Sequence, residues 1–392
     1  MRPPAGTPKA RPSLVAKLSR RENAHLNTYA DALRDALRSF IAQEHLPGGT
    51  AAAVLDGRLI SVAAGYADVE AQECMRPESI MPCGSVGKTF LAAMLLKLTR
   101  HDSLQLDRTL DTWLGGESWF DRLPNGRTAT LRMVLNHSGG IPDHRTTAHY
   151  GDAVRGLLQD LKQTPDASLP PTRLVSFILD APPTFAAGSG FCYSETGYVI
   201  AGLILEKLSG VSALKLIRHE LLAPLGLRRI RPALTRATPD LASGYIANDR
   251  LGFPAKTAEG GVLRFSPVTE FTGGGFYGAS GDLARWVEAL LEQRALPFPY
   301  REELLSTVPT GEARDVAYGL GIRVMHTPAG IAYGHMGEFP GYMTLAAYYL
   351  DQKIALAAQV NGWPHEKSLL ERLQDALMKA LRPAFSRRNI LQ

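Results

Sequence analysis

Ser85-Val86-Gly87-Lys88 stands at the head of an apolar run that extends to Leu98. On a helix, residues three apart share a face and lie about one turn from each other. An amine placed there can take the proton of the hydroxyl, which gives a nucleophilic serine that needs no histidine base. Lys88 can act so only if its ammonium is neutral part of the time, and burial with a nearby positive charge would lower its pKa in that direction. The backbone N–H of Ser85, at a helix N-terminus, is a natural donor to an oxyanion. Alone the pattern is weak, because Ser212 and Lys215 repeat it. Gly87-Lys88-Thr89 also ends like a phosphate-binding loop, but that motif wants glycine where this chain has Pro82.

Two later triplets raise Ser85 above its decoy. Tyr193-Ser194-Glu195 precedes a helical pattern, and His335-Met336-Gly337 stands at a strand. Around them lie Leu104-Gln105-Leu106-Asp107, Leu135-Asn136-His137-Ser138-Gly139-Gly140-Ile141-Pro142 and Gly274-Gly275 through Asp282-Leu283-Ala284-Arg285. In this set and order the chain resembles the class C β-lactamase, D-Ala-D-Ala carboxypeptidase and family VIII esterase group of serine hydrolases, over roughly residues 30–380. The resemblance implies an acyl-enzyme mechanism. Ser85 attacks, Lys88 and Tyr193 move the proton, and the N–H groups of Ser85 and Glu338 hold the oxyanion. It also places Glu195, His335, Met336 and Gly337 against the substrate.

The departures from that pattern carry information. Many relatives have Lys-Thr-Gly in the third triplet, where the lysine and the hydroxyl help bind a carboxylate. Here His335 can be cationic only weakly at neutral pH, and Met336 has no hydroxyl. Relatives that cleave amides commonly have Asn where this chain has Glu195; Asn donates a hydrogen bond, whereas ionised Glu only accepts. Both changes favour small carboxylic esters, or acyl transfer, over β-lactams and peptides. A β-lactamase or D-amino-acid peptidase using the same site, and a non-catalytic covalent sensor, are the alternatives. His137 also fits a His-x-Gly triplet, but it falls in the wrong order and reads as part of a structural loop.

The elements that must position these residues follow from periodicity. Apolar positions four apart predict a helix over 27–44, and Asp56-Gly57-Arg58 between apolar runs predicts a hairpin over 50–64. The run after Ser85 is apolar nearly all round, so its helix is expected to be buried. Residues 102–224 are mostly helical in pattern. Strand-like runs cover 318–325, 331–334, 342–350 and 354–360, and a helix covers 366–381. The expected fold is α/β (α+β): an antiparallel sheet flanked by helices over 25–101 and 225–392, with an all-helical insert over 102–224, after a flexible basic tail over 1–24.

Composition narrows the function classes. Of 392 residues, 45% are hydrophobic and 21% charged, an ordinary globular balance. The net charge of +5 comes from Arg2, Lys9, Arg11, Lys17, Arg20 and Arg21, so the remaining body is near neutral and gives little support for a nucleic-acid surface. No apolar run reaches the roughly 20 residues of a membrane helix. The N-terminus has no apolar segment after its basic residues, which leads to a cytoplasmic expectation. Three cysteines do not make a disulfide framework. No metal-ligand spacing is evident among the ten histidines, and the chemistry requires no cofactor. The expected partner is a small ester or amide; oligomeric state is not legible.

Overall fold

The computed structural model describes residues 14–99, 104–247, 251–297, 299–364, 366 and 368–388. Six helices of twelve or more residues lie among them: α1 (Leu14–Gln43), α2 (Gly87–Leu98), α3 (Ala148–Gln159), α4 (Glu195–Ser209), α5 (Ser280–Leu291) and α6 (Ser368–Arg388). The tail expected over 1–24 lies outside the described residues as far as position 13. From Leu14 the chain is already helical, because its prolines stop at Pro12 and no proline or glycine follows until Pro47.

The main sheet has nine strands: β1 (Gly48–Leu55), β2 (Arg58–Asp68), β3 (Glu73–Cys74), β4 (Val308–Pro309), β5 (Asp315–Tyr318), β6 (Arg323–Thr327), β7 (Gly330–Phe339), β8 (Tyr342–Tyr349) and β9 (Ile354–Val360). Their order is β4-β5-β6-β7-β8-β9-β1-β2-β3, and every neighbouring pair is antiparallel. The central strands β1, β8 and β9 are buried along their whole length, which explains their continuous apolar runs. Alternation still sorts their two faces. Ala51, Ala53, Leu345, Leu356 and Ala358 join the core under α1 and α6, with Leu33, Leu37, Leu373 and Leu377. Ala52, Ala346, Ala355 and Ala357 face the other core, with Phe90 of α2 and Trp286 of α5. The small side chains on that second face let helices pack close to the sheet.

Every named element between α2 and Arg231 is helical. Leu110, Trp113, Leu135, Tyr198 and Ile204 from this stretch share one continuous buried cluster with α2 and α5. The run expected as one strand over 318–325 is two, β5 and β6, separated by Gly319–Ile322. Gly321, at φ +72°, explains the break: a Cβ there would stand 2.8 Å from the Lys88 carbonyl oxygen. The loop thus seats the sheet edge against α2 behind the lysine. The short strands at Met81–Pro82, Phe276–Gly278 and Arg231–Pro232 form a small separate sheet without a sequence signal of its own.

Candidate active site

Ser85 lies in a 3-10 turn, Gly84–Val86, that runs directly into α2. This continuity puts Lys88 one turn on, with its Nζ 3.0 Å from Ser85 Oγ. Lys88 is fully buried. Its ammonium donates to three acceptors: Ser85 Oγ, Glu195 Oε2 at 2.5 Å and the Gly273 carbonyl at 2.8 Å. An ammonium has three hydrogens, so all are used. Ser85 Oγ in turn donates to Glu195 Oε1 at 3.1 Å.

Glu195 is the first residue of α4, after Ser194 as N-cap, whose Oγ accepts from the Gly197 N–H. The helix N-terminus favours a negative charge there. Arg145, half-exposed, lies 3.4 Å from Glu195 Oε1 and is also paired with Asp143. Burial alone would raise the Glu195 carboxyl, but the charges of Lys88 and Arg145 outweigh it and hold the group well below the usual carboxylate range. Two expectations are corrected here. The charge beside Lys88 is an anion, not the cation that was to lower its pKa. And Glu195 is occupied by Lys88, Ser85 and Arg145, so its place is beneath the nucleophile and not free against a substrate.

Tyr193 stands just before the N-cap, with the Lys88 ammonium 5.1 Å from its ring centroid and the Arg323 guanidinium 5.3 Å away. Among the described residues its hydroxyl has no hydrogen-bond partner. Burial raises its pKa. His137 packs behind it at 4.3 Å between ring centroids and accepts the Ser194 N–H on Nδ1. It supports the tyrosine from the buried side. Ser85 and Tyr193 open on one cleft of about 260 Å³, shared with Arg145, Arg323, Met336 and Glu338.

The third triplet reaches the serine through its backbone. Strand β6 pairs with β7 only as far as Gly334, so the edge of β7 beyond it is free to meet the serine turn. A Cβ on Gly337 would stand 2.2 Å from the Cys83 oxygen and 2.8 Å from the Ser85 nitrogen. A Cβ on Gly84, whose φ is +50°, would stand 2.5 Å from the Glu338 oxygen and 2.6 Å from its nitrogen. Both positions therefore require glycine. The hairpin turn after β7 makes Phe339 and Tyr342 a hydrogen-bonded pair, and the alternation makes Gly337 and Thr344 the next. The Glu338 N–H consequently points away from β8, towards the serine turn.

His335 does not meet the cleft. It is fully buried; its Nδ1 donates to the Met336 carbonyl at 2.5 Å and its Nε2 accepts from the Tyr318 hydroxyl at 2.8 Å. Burial, and then the charge of Arg323, push its pKa well below that of a free histidine. The ring is neutral, which corrects the expectation of a weakly cationic residue at the substrate. The decoy Lys215 is an exposed residue of a short helix, Ala213–Ile217. Arg145, Arg323, Asp315, Glu312 and Glu371, all on the cleft wall, escaped the sequence analysis because a single charged residue, in a loop or at the start of a strand or helix, carries no periodic or motif signal. The three cysteines are unpaired. Among the described residues no cluster of His, Cys, Asp and Glu could hold a metal ion, and no helix is long and apolar enough to cross a membrane.

The Beta-lactamase family model matches residues 33–378. The chain belongs to the Beta-lactamase family. It is thus in a family of serine hydrolases, with the mixed α/β fold of that family. Among curated relatives it is similar to penicillin-binding protein 4* of Bacillus subtilis (strain 168), 23% identical over 377 residues, covering 92% of this chain and 77% of the relative. It is 25% identical over 318 residues to a D-aminopeptidase of Brucella canis, covering 80% of this chain but 56% of the relative, so it spans little more than half of that protein. Among solved structures, a D-stereospecific amidohydrolase from Streptomyces sp. superposes with a TM-score of 0.74 at 27% identity, covering 86% of this chain and 96% of the other. A D-amino acid amidase from Ochrobactrum anthropi SV3 shares the fold at TM-score 0.75, 22% identity, 92% of this chain and 99% of the other.

Proposed function

We propose that this member of the Beta-lactamase family hydrolyses small carboxylic esters through an acyl-Ser85 intermediate. The observation that carries the reading is the Ser85–Lys88–Glu195 triangle at the floor of an open cleft. Lys88 fixes the serine oxygen while Glu195 Oε1 receives its proton. The Lys88 charge that makes Glu195 a weak base also stabilises the serine oxyanion left behind, so the transfer neutralises one anion as it creates another beside the same ammonium. The Ser85 and Glu338 N–H groups take the developing oxyanion. Tyr193 gives its own hydroxyl proton to the leaving group and is reprotonated by Lys88, which takes the Ser85 proton back from Glu195. Water then releases the acyl group by the reverse sequence.

Anionic substrates fit poorly. Glu312, Asp315, Glu338 and Glu371 line the opening against two guanidiniums, Arg145 and Arg323, and both of those are already paired, with Asp143 and Asp315. With His335 neutral and Met336 without a hydroxyl, no unpaired cation among the described residues of the cleft awaits the carboxylate of a penicillin. A second reading, hydrolysis of D-amino-acid amides or of N-terminal D-residues, is favoured by the likeness to the Streptomyces amidohydrolase. Initial rates on p-nitrophenyl butyrate, phenylalanine amide of each hand and a chromogenic cephalosporin separate the readings. Ester turnover that vanishes in Ser85→Ala is expected; fast cephalosporin turnover without ester turnover would refute the proposal.

A further inference from the structure

One carboxyl near the nucleophile has no role in the chemistry above. Glu270 ends the short turn Pro267–Glu270 that leads into Phe271–Gly274. Among the described residues its side chain has neither a hydrogen-bond nor an ion-pair partner. It lines an apolar pocket with Tyr150, Val154, Leu158, Phe265 and Phe339. The Glu270 end of the pocket lies near the serine turn. A Cβ added on Gly274 would stand 3.0 Å from Glu270 Oε2 and 2.8 Å from the Gly84 carbonyl carbon, which is bonded to the Ser85 nitrogen. Phe339, on another wall, directly follows Glu338 of the oxyanion pair.

An unpaired carboxyl in such surroundings costs stability unless something uses it. Burial, then the charge of Glu195, push it up to about 7, against the smaller opposing effect of Arg145 and Lys88. These are the charged groups that act on it, and none neutralises it. A cation arriving with an apolar group would satisfy both the carboxyl and the pocket.

We propose that this pocket is the acyl-side subsite, and that Glu270 binds an ammonium on an acyl group whose apolar side chain fills the space between Tyr150, Phe265 and Phe339. The inference rests on the acyl-Ser85 reading and adds to it a preference for amine-bearing, apolar acyl donors. Glu270 is a specificity residue. It takes no part in proton transfer, and its effect falls on substrates that carry the amine.

The test compares ethyl esters of phenylalanine, each hand, with ethyl 3-phenylpropanoate, which is the same acyl group without the amine. Wild-type enzyme is expected to prefer one phenylalanine ester in kcat/KM by roughly ten- to a hundred-fold, as for a hydrogen bond between ionised groups. Glu270→Gln should collapse that ratio to near unity. Binding of phenylalanine amide and 3-phenylpropanamide to Ser85→Ala, with and without Glu270→Gln, gives a readout that does not depend on turnover. The amine preference should appear in Ser85→Ala and vanish in the double variant. A ratio unchanged by Glu270→Gln, or no amine preference in either assay, overturns the inference. If neither ester is turned over, the hydrolase reading fails, and the binding assay still decides for or against Glu270.

Discussion

Replacing Gly337 by alanine tests how the strand meets the serine turn. The new Cβ would stand 2.2 Å from the Cys83 oxygen and 2.8 Å from the Ser85 nitrogen. Carbon–oxygen contacts ordinarily sit at about 3.3 Å or more, so β7 and the turn must part by about 1 Å. The atoms that meet are backbone, so no side chain can swing away to relieve the clash. The shift separates the two N–H groups that should share the oxyanion. Loss of one such donor costs roughly 10²–10³ in kcat, and a misplacement of about 1 Å costs on the order of 10². We therefore expect kcat on p-nitrophenyl butyrate to fall about 10²- to 10³-fold with a smaller change in KM. Overpacking should also destabilise the fold by about 1–3 kcal/mol. Steady-state rates and urea melts measure the two effects separately. Gly156→Ala, in α3 with nothing within 4 Å of an added Cβ, is the control: it should leave kcat unchanged and raise stability by about 1 kcal/mol, as Gly→Ala does in a helix interior. A Gly337→Ala enzyme with kcat within threefold of wild type and an unchanged melt would refute the backbone account of the oxyanion site.

Three further outcomes follow from the same geometry. Glu195→Gln leaves the Lys88 ammonium buried without a counter-ion and should cost about 3–5 kcal/mol in denaturant melts; because the native carboxyl is held below its ordinary range, its contribution is present above about pH 4.5 and is lost on acidification, so the gap between variant and wild type should narrow in acid. Glu270 has the opposite sign. Its folded pKa is raised from 4.5 to about 7, so wild-type stability should fall as pH rises through that window. Glu270→Gln should then melt at the same temperature as wild type near pH 4 and above it from pH 7 upward; a constant offset across the range would contradict this. Tyr193→Phe should lower kcat by about 10²–10⁴ while leaving the melt within a degree or two, and wild-type rates in that variant would remove the phenol from the mechanism.

Much of this was legible in the chain because short spacings survive folding. Ser85 and Lys88 are one helical turn apart wherever the helix sits, and Gly337 announces a close backbone approach. The strands β1, β8 and β9 could be read from their apolar runs, since a sheet covered on both faces leaves no polar alternation to confuse the reading. What could not be read depends on long-range placement. That Glu195 turns to Lys88 rather than to a substrate depends on where α4 meets α2. That His335 is neutral depends on its burial and on the charge of Arg323, a residue of a different strand. The unpaired state of Glu270 is a property of everything that fails to reach it, and no local pattern encodes that. The break of β5 from β6 was missed because the demand on Gly321 comes from Lys88, far away in sequence.

The account centres on a covalent bond to one oxygen. The most direct measurement is intact-mass analysis with peptide mapping, on enzyme acid-quenched within milliseconds of mixing with p-nitrophenyl butyrate. The prediction is a transient gain of one butyryl group, on the peptide that contains Ser85, decaying as turnover proceeds and absent from Ser85→Ala. Turnover without that adduct, or an adduct on another residue that persists in Ser85→Ala, would contradict it.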